Sequence, residues 1–405
     1  MGEGLKGFTK LTPIVEAWRE FKSEIKLKSG VEEVPLFNAL GRVLAEDIIA
    51  PIDLPPFNTS ALDGYAVRAE ETFNASRYNP ALIDVKHVVK VSTGDALPNG
   101  YDAVVPLELT EAKEGFLEIY SSVPKWGNVN RKGFDVSKGS RILNKGRKLR
   151  PWDLALLTSL GFKYVKVFRV LRAIIYPIGS ELRTPPFLPT ERLRPESNSL
   201  AIKALLEFKG MKAKVGEILK DEVREISGKL VRASEEADII ITLGGTSIGG
   251  RDVTVRAVEN VGEVIAHGIA MRPGKPTALA KIEGKPVICL SGYPVAAFIA
   301  FKTFVEPLVD YIMRSYPQLK VIYGKLSSRV PSEPGLVDFV RAKLRWKGDT
   351  YIIVPIRRSG SSLYSSLTRS EGTIVIPEGV EGLEENALAP FIFHEDPWYP
   401  YLGLT

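Results

Sequence analysis

The 405-residue chain has a single cysteine, Cys289, and three histidines, His87, His267 and His394. One cysteine excludes an internal disulfide and a cysteine-built zinc site, and it fits a reducing compartment. Histidines this far apart argue against a histidine-built metal centre. Long apolar runs are missing too. The N-terminal MGEGLKGFTKLTP has no apolar signal core. The most apolar helical stretch, around residues 295–313, is interrupted by Lys302, Glu306 and Asp310 and does not read as a membrane span. No basic run reaches five residues, and a formal charge of +6 from 54 basic and 48 acidic residues is too thin to argue for nucleic acid. The expectation is a cytoplasmic protein that engages neither membrane nor nucleic acid.

Charged residues make up 25% and apolar residues 44%, which is ordinary for a globular chain. Twenty-eight prolines and 35 glycines imply many turns. At about 100–200 residues per domain, the length implies two to four domains.

Residues 11–50 read as helical, with apolar positions at helical spacing in TPIVEAWREFKSEI and LFNALGRVLAEDI. From Pro51 the texture becomes β-rich, with short β-branched runs between Gly, Pro, Asn and Asp. A helical pattern returns over 140–168, where PWDLALLTSLG ends on a capping Gly161. The expected organisation is a helical linker or dimerisation domain from 1–50 plus 140–170, with a β-rich domain, 51–139, inserted into it. Over 171–318, strand and helix patterns alternate, which argues for a doubly wound, mostly parallel sheet. Residues 319–405 read as a C-terminal β domain, barrel or sandwich, closed by HEDPWYPYLGLT as a docked tail.

Ligands of open α/β sheets bind beyond the carboxyl ends of the strands. Three loops there are unusual: Ile178-Gly179-Ser180-Glu181-Leu182, the run from Gly244 to Asp252, and Ser291-Gly292-Tyr293-Pro294 leading into a helix. Glycines let backbone amides approach an anion, and a helix N-terminus adds a favourable dipole. Gly244-Gly245 reads equally as a tight turn, but Thr246, Ser247 and Asp252 place two hydroxyls and a carboxylate just beyond it. Glu181 reads either as solvated surface or as a cleft acid. Arg272-Pro273-Gly274-Lys275-Pro276 sets two cations on a stiffened loop, suited to a phosphate or oxyanion or simply a solvated basic turn. Asp63-Gly64 alone reads as a hairpin turn.

In combination the segments are more specific. PPFNTSALDGYAV, STGDALPNGYDAVV, NRKGFDVSKGSRIL, LALLTSLG, GSEL, ESNS, TLGGTSIGGRDV, AMRPGKP, SGYP and GSSLYSSLTRSEGTIVIPE occur in that order between about residues 10 and 393. In this the chain resembles the MoeA-type molybdopterin molybdenumtransferase family, whose vertebrate relative is the E domain of gephyrin. The resemblance implies an α/β multidomain protein. Its central doubly wound, molybdopterin-binding-like domain would be joined by the split helical domain, the inserted β-rich domain and a C-terminal β-barrel-like domain. It also implies the last step of molybdenum cofactor biosynthesis: metal from molybdate or tungstate enters adenylylated molybdopterin, and AMP leaves with the help of Mg²⁺.

Carried onto this sequence, the resemblance makes Asp63, Glu181, Asp252 and Lys275 catalytic, with Glu181 and Asp252 holding Mg²⁺. Gly244, Gly245, Thr246 and Ser247 would cradle phosphate or pterin. Arg272, Ser291, Pro294 and Ser361 would line the same cleft, and Thr93 and Asp135 its β-rich side. A homodimer with clefts shared between subunits is implied, with the molybdopterin adenylyltransferase of the preceding step as a candidate partner. The chain departs from the family pattern at Ser180 (commonly Asp), at Ser291 and Tyr293 (commonly Pro and Asn) and at Asn130 (commonly Arg). These departures leave open a paralogue with altered metal or pterin preference. Two other readings stand beside the transferase: a scaffold on the same fold, as in gephyrin, and an adenylyltransferase, which the full N-terminal half argues against.

Overall fold

The computed structural model describes residues 11–246, 252–315, 317–356 and 360–404. Ser247, the remaining residue of the expected cradle, lies outside them. The chain divides into two compact units, Glu33–Val167 and the remainder.

The unit Glu33–Val167 is built from short antiparallel strands. One three-stranded sheet centres on Gly64–Val67, and another on Phe116–Ile119. Val67, Ile83, Val105, Leu117 and Ile119 fill their core. The helix expected over 36–48 is absent. Leu36–Asn38 makes one 3₁₀ turn, Gly41 takes φ +74°, and Ile48–Ile49 pairs with Arg141–Leu143. The helical spacing of Leu36, Ala39, Leu44 and Ile48 is real, but it serves an irregular core with Leu149, Leu157 and Val167. Tertiary pairing overrides the pattern there. The helix Pro151–Ser159 forms as expected, with Pro151 in its first turn and Gly161 at φ +84° just past its end.

The other unit contains a six-stranded sheet in the order Lys212–Val215, Arg172–Pro177, Ile239–Leu243, Lys285–Leu290, Ala278–Ile282, Glu263–His267. The first four strands are parallel and the last two pairings antiparallel. All five residues of Ile239–Leu243 are buried, as a strand covered on both faces requires. Helix Ile14–Glu24 packs on the antiparallel edge, where Lys281 bonds Glu24. The charges that interrupt 295–313 prove to be interior pairs. Lys302 Nζ lies 2.7 Å from Glu306, and Lys209 Nζ lies 2.7 Å from Asp310. No helix among the described residues is long and apolar enough to cross a membrane.

Five strands, Ile322–Leu326, Val337–Lys347, Thr350–Pro355, Gly372–Ile376 and Leu388–Phe393, close into a barrel through the pairing of Val337–Lys347 with Gly372–Ile376. The short strand Met271–Arg272 runs parallel to its Val337–Asp338 end, so the RPGKP loop leaves the α/β sheet directly against the barrel. The tail docks as expected: Trp398 is fully buried and stacks on Phe339, and Tyr399 Oη donates to Asp310 at 2.8 Å.

Candidate functional site

The loops singled out in the sequence meet at the carboxyl ends of the parallel strands. Ile178 N donates to Leu243 O at 2.8 Å, and Gly244 N to Leu290 O at 3.0 Å, lacing three strand ends together. Gly244 has φ +102°, and a Cβ there would lie 2.3 Å from the Ile178 carbonyl oxygen. Only glycine fits this position, so the Gly-Gly pair is a close backbone approach rather than a generic turn.

Two adjoining cavities open at this end. A carboxylate-bearing lobe of about 430 Å³ is lined by Glu181, Asp221, Glu196 and Thr246, with the backbone of Gly179, Gly244 and Gly245. A cationic lobe of about 380 Å³ is lined by Arg272, Lys275, Arg341 and Ser361 over an apolar floor that includes Phe339 and Ile356. Ser291 and Tyr293 line both, so the two are halves of one cleft.

In the first lobe, Glu181 is exposed and its carboxylate pairs with no described residue. Glu196 is spent locally: it accepts from Ser199 N at 2.9 Å and from Ser199 Oγ, capping helix Asn198–Phe208. Asp221, which sequence reasoning missed, accepts from Ser180 N and Oγ through Oδ2, both at 2.9 Å, leaving Oδ1 for a ligand. Ser180 itself lines neither lobe.

Asp252 does not join Glu181. It is buried, Oδ1 accepts from Val255 N at 3.4 Å as the cap of helix Val253–Glu259, and Oδ2 lies 2.8 Å from His267 Nε2. It lines neither lobe, and both of its carboxylate oxygens already face protein partners. Among the described residues no group of three or more His, Cys, Asp or Glu is placed to hold a metal.

In the second lobe, Arg272 departs from expectation as well. Its Nε and Nη2 form a fork on Asp338 at 3.0 and 2.5 Å, and Nη1 reaches Glu333 at 2.9 Å. The Asp338 hydrogen bonds raise its pKa further. The guanidinium therefore ties the RPGKP loop to the barrel. Lys275 is half-buried, lines the lobe and forms no ion pair with a described residue. Buried Arg341, unnoticed in the sequence, also lines this lobe, its Nη1 donating to Phe339 O at 3.2 Å. Pro294 opens helix Pro294–Ala300, but the next amide, Val295 N, already donates to Ser361 O at 3.0 Å.

In the unit Glu33–Val167 the fold brings Asp63 and Thr93 together. Asp63 Oδ1 accepts from Thr93 N at 2.7 Å and Thr93 Oγ1 at 3.0 Å, which lowers the Asp63 pKa. Asp63-Gly64 is not a hairpin turn, because Gly64 starts a strand whose Cβ position is filled by Val105 O. Asp135 is exposed, its amide bonded to Leu54 O, with no contact to that pair.

Comparison with known proteins accounts for nearly the whole chain. Residues 12–161 match the MoeA N-terminal region (domain I and II), 174–311 the probable molybdopterin binding domain, and 323–393 the MoeA C-terminal region (domain IV). The chain is 39% identical to a molybdopterin biosynthesis protein of Methanocaldococcus jannaschii, over 88% of this chain and 91% of that one. It is 31% identical to the molybdopterin molybdenumtransferase of Bacillus subtilis, over 92% and 91%. The crystal structure of the molybdopterin biosynthesis MoeA protein of Pyrococcus horikoshii superposes with a TM-score of 0.82 at 30% identity, covering 95% of this chain and all of that one. The site therefore sits on a scaffold shared in sequence and in fold, and the chain belongs to the MoeA family.

Proposed function

We propose that the protein inserts metal from molybdate or tungstate into adenylylated molybdopterin and releases AMP, in the final stage of molybdenum cofactor biosynthesis. One observation carries this: a single cleft has a carboxylate lobe and a cationic lobe that share Ser291 and Tyr293. A substrate with a phosphoanhydride at one end and an oxyanion beside it needs both.

In the cationic lobe, Lys275 and Arg341 bind and orient the tetrahedral oxyanion, with the Ser291 and Ser361 hydroxyls supplying further hydrogen bonds. The apolar floor excludes water and strengthens these contacts. In the other lobe, Gly179 N and Gly244 N are taken by Leu219 O and Leu290 O, so of these three glycines Gly245 is the one whose amide suits a phosphate oxygen. The donor set there is all oxygen, with Glu181 and Asp221 Oδ1 unspent, which fits a hard cation such as Mg²⁺. When bound, Mg²⁺ supplies charge neutralisation at the phosphoanhydride. Asp252, on this reading, shapes the loop through its helix cap rather than ligating the ion.

Asp63, held by Thr93, supplies a carboxylate from the other unit, and we place it in the cleft of a partner subunit within a homodimer. We assign Asp135, exposed in the same unit, as a further substrate contact. The cytoplasm is the compartment we assign, and the adenylyltransferase of the preceding step is the partner that would deliver substrate. The test is incubation with adenylylated molybdopterin, Mg²⁺ and either oxyanion, measuring AMP. A protein that binds these ligands without releasing AMP would refute the transferase reading and leave a scaffold.

A further inference from the structure

The segment after the barrel strand Thr350–Pro355 returns to the cleft and is stitched to the α/β unit at two points. Ser361 O accepts from Val295 N at 3.0 Å. Three residues later, the Tyr364 hydroxyl bonds both Ser197 Oγ and Asn198 Oδ1. A phenol has one proton and two acceptor sites, so Tyr364 satisfies both contacts by donating to the Asn198 carbonyl oxygen and accepting from Ser197. Asn198 is thereby fixed with its amide nitrogen outward, and Nδ2 donates to Gly292 O at 2.7 Å. Gly292 lies between Ser291 and Tyr293, the two residues common to both lobes, and a Cβ on it would touch Gly244 Cα at 3.4 Å.

We propose that Tyr364 is a positioning residue: through Asn198 it holds the Gly292 carbonyl, and so sets the Ser291–Tyr293 wall that divides the carboxylate lobe from the cationic lobe. This rests on the function proposed above only in its consequence for turnover. The hydrogen-bond relay itself stands on geometry. Burial raises the pKa of the Tyr364 phenol, so the hydroxyl keeps its proton at neutral pH. The position is readable as special only in the fold, because Tyr364 and Asn198 are 166 residues apart.

Two variants of the full-length protein separate the links. Tyr364→Phe keeps the ring and removes the first link. Asn198→Asp keeps the acceptor for Tyr364 and removes the donor to Gly292. Amide hydrogen exchange at Tyr293 and Val295, whose N–H groups donate to Ser291 Oγ and Ser361 O beside the held carbonyl, is read first, because it needs no activity. Each variant is expected to speed exchange there by about fivefold, the equivalent of one ordinary hydrogen bond, and the double variant no more than either single one. In an active enzyme the same variants lower kcat/KM for AMP release by a similar factor, also without adding, while the unfolding midpoint moves little. Unchanged exchange in Tyr364→Phe, or additive effects in the double variant, overturns the relay. Faster exchange with unaltered kcat and KM overturns the positioning role. A wild-type protein that releases no AMP overturns the proposed function, and the exchange result still decides the relay.

Discussion

Replacing Gly244 by alanine tests whether the cleft is organised around backbone that tolerates no side chain. The residue has φ +102°, and the new Cβ would start 2.3 Å from Ile178 O, where contacts below 3.0 Å are essentially never seen. The obstacle is a carbonyl, so no rotamer change relieves it, and the loop must retreat by the difference. Retreat pulls on two hydrogen bonds, Ile178 N to Leu243 O at 2.8 Å and Gly244 N to Leu290 O at 3.0 Å. Backbone strain of about 1–3 kcal/mol and about 1 kcal/mol for each of the two loosened bonds put the loss near 3–5 kcal/mol. Gly228 is the control. It lies within helix Val223–Glu236 with nothing within 4 Å of its Cβ position. Gly228→Ala is expected to stabilise by about 0.5–1 kcal/mol through helix propensity and a less flexible unfolded chain. Both variants would be compared with wild type by urea unfolding, and exchange at the Ile178 and Gly244 amides would localise the effect. Gly244→Ala within about 0.5 kcal/mol of wild type, beside a normally behaving Gly228→Ala, refutes the close-approach argument.

Lys275→Ala and Glu181→Gln are each expected to slow AMP release at least about a hundredfold, with unfolding free energy changed by less than about 0.5 kcal/mol. Steady-state assays beside denaturation decide this, and full turnover removes the residue from the site. Burial lowers the His394 pKa from 6.5 to about 4, so the folded state resists its protonation. Its contribution is fully present above pH 6.5 and is lost as pH falls toward about 4, roughly 3 kcal/mol over that window. Stability measured against pH should flatten there in His394→Gln, and an unchanged slope contradicts the assignment. Mixing Asp63→Ala with Glu181→Gln under subunit exchange should restore about a quarter of wild-type activity, since random pairing makes about half the dimers mixed, each with one intact cleft. No recovery after verified exchange places each site within one chain.

Local signals survived from sequence to structure, whereas long-range partners did not announce themselves. Gly244-Gly245 and Gly161 were legible because positive φ is a local demand that glycine meets. Strand–helix alternation over 171–318 gave the parallel sheet for the same reason: each element carries its own period. The stretch 36–48 misled because its apolar spacing suits an irregular core as well as a helix, and the pairing of Ile48–Ile49 with Arg141–Leu143 decided between them. Arg272 looked available in RPGKP because its fork partner, Asp338, is 66 residues away. Asp252 looked like a ligand because neither its cap at Val255 nor His267 is marked by any motif. Asp221 carried no signal beyond being an acid past a strand end.

These pairings also decide which charges the cleft can use. Arg272 faces Asp338 and Glu333, so its positive charge is offset before any ligand arrives. Glu196 is consumed by the amide and hydroxyl of Ser199, and half of Asp221 by Ser180. Of the charged groups that line the two lobes, Lys275 in one and Glu181 and Arg194 in the other have neither a described ion pair nor a described side-chain hydrogen bond. An unpaired charge interacts more strongly with a ligand than a neutralised one does. The fold thus spends Arg272, Asp338 and Glu196 on holding loops, and leaves Lys275 in one lobe and Glu181, Arg194 and Asp221 Oδ1 in the other with capacity for a ligand.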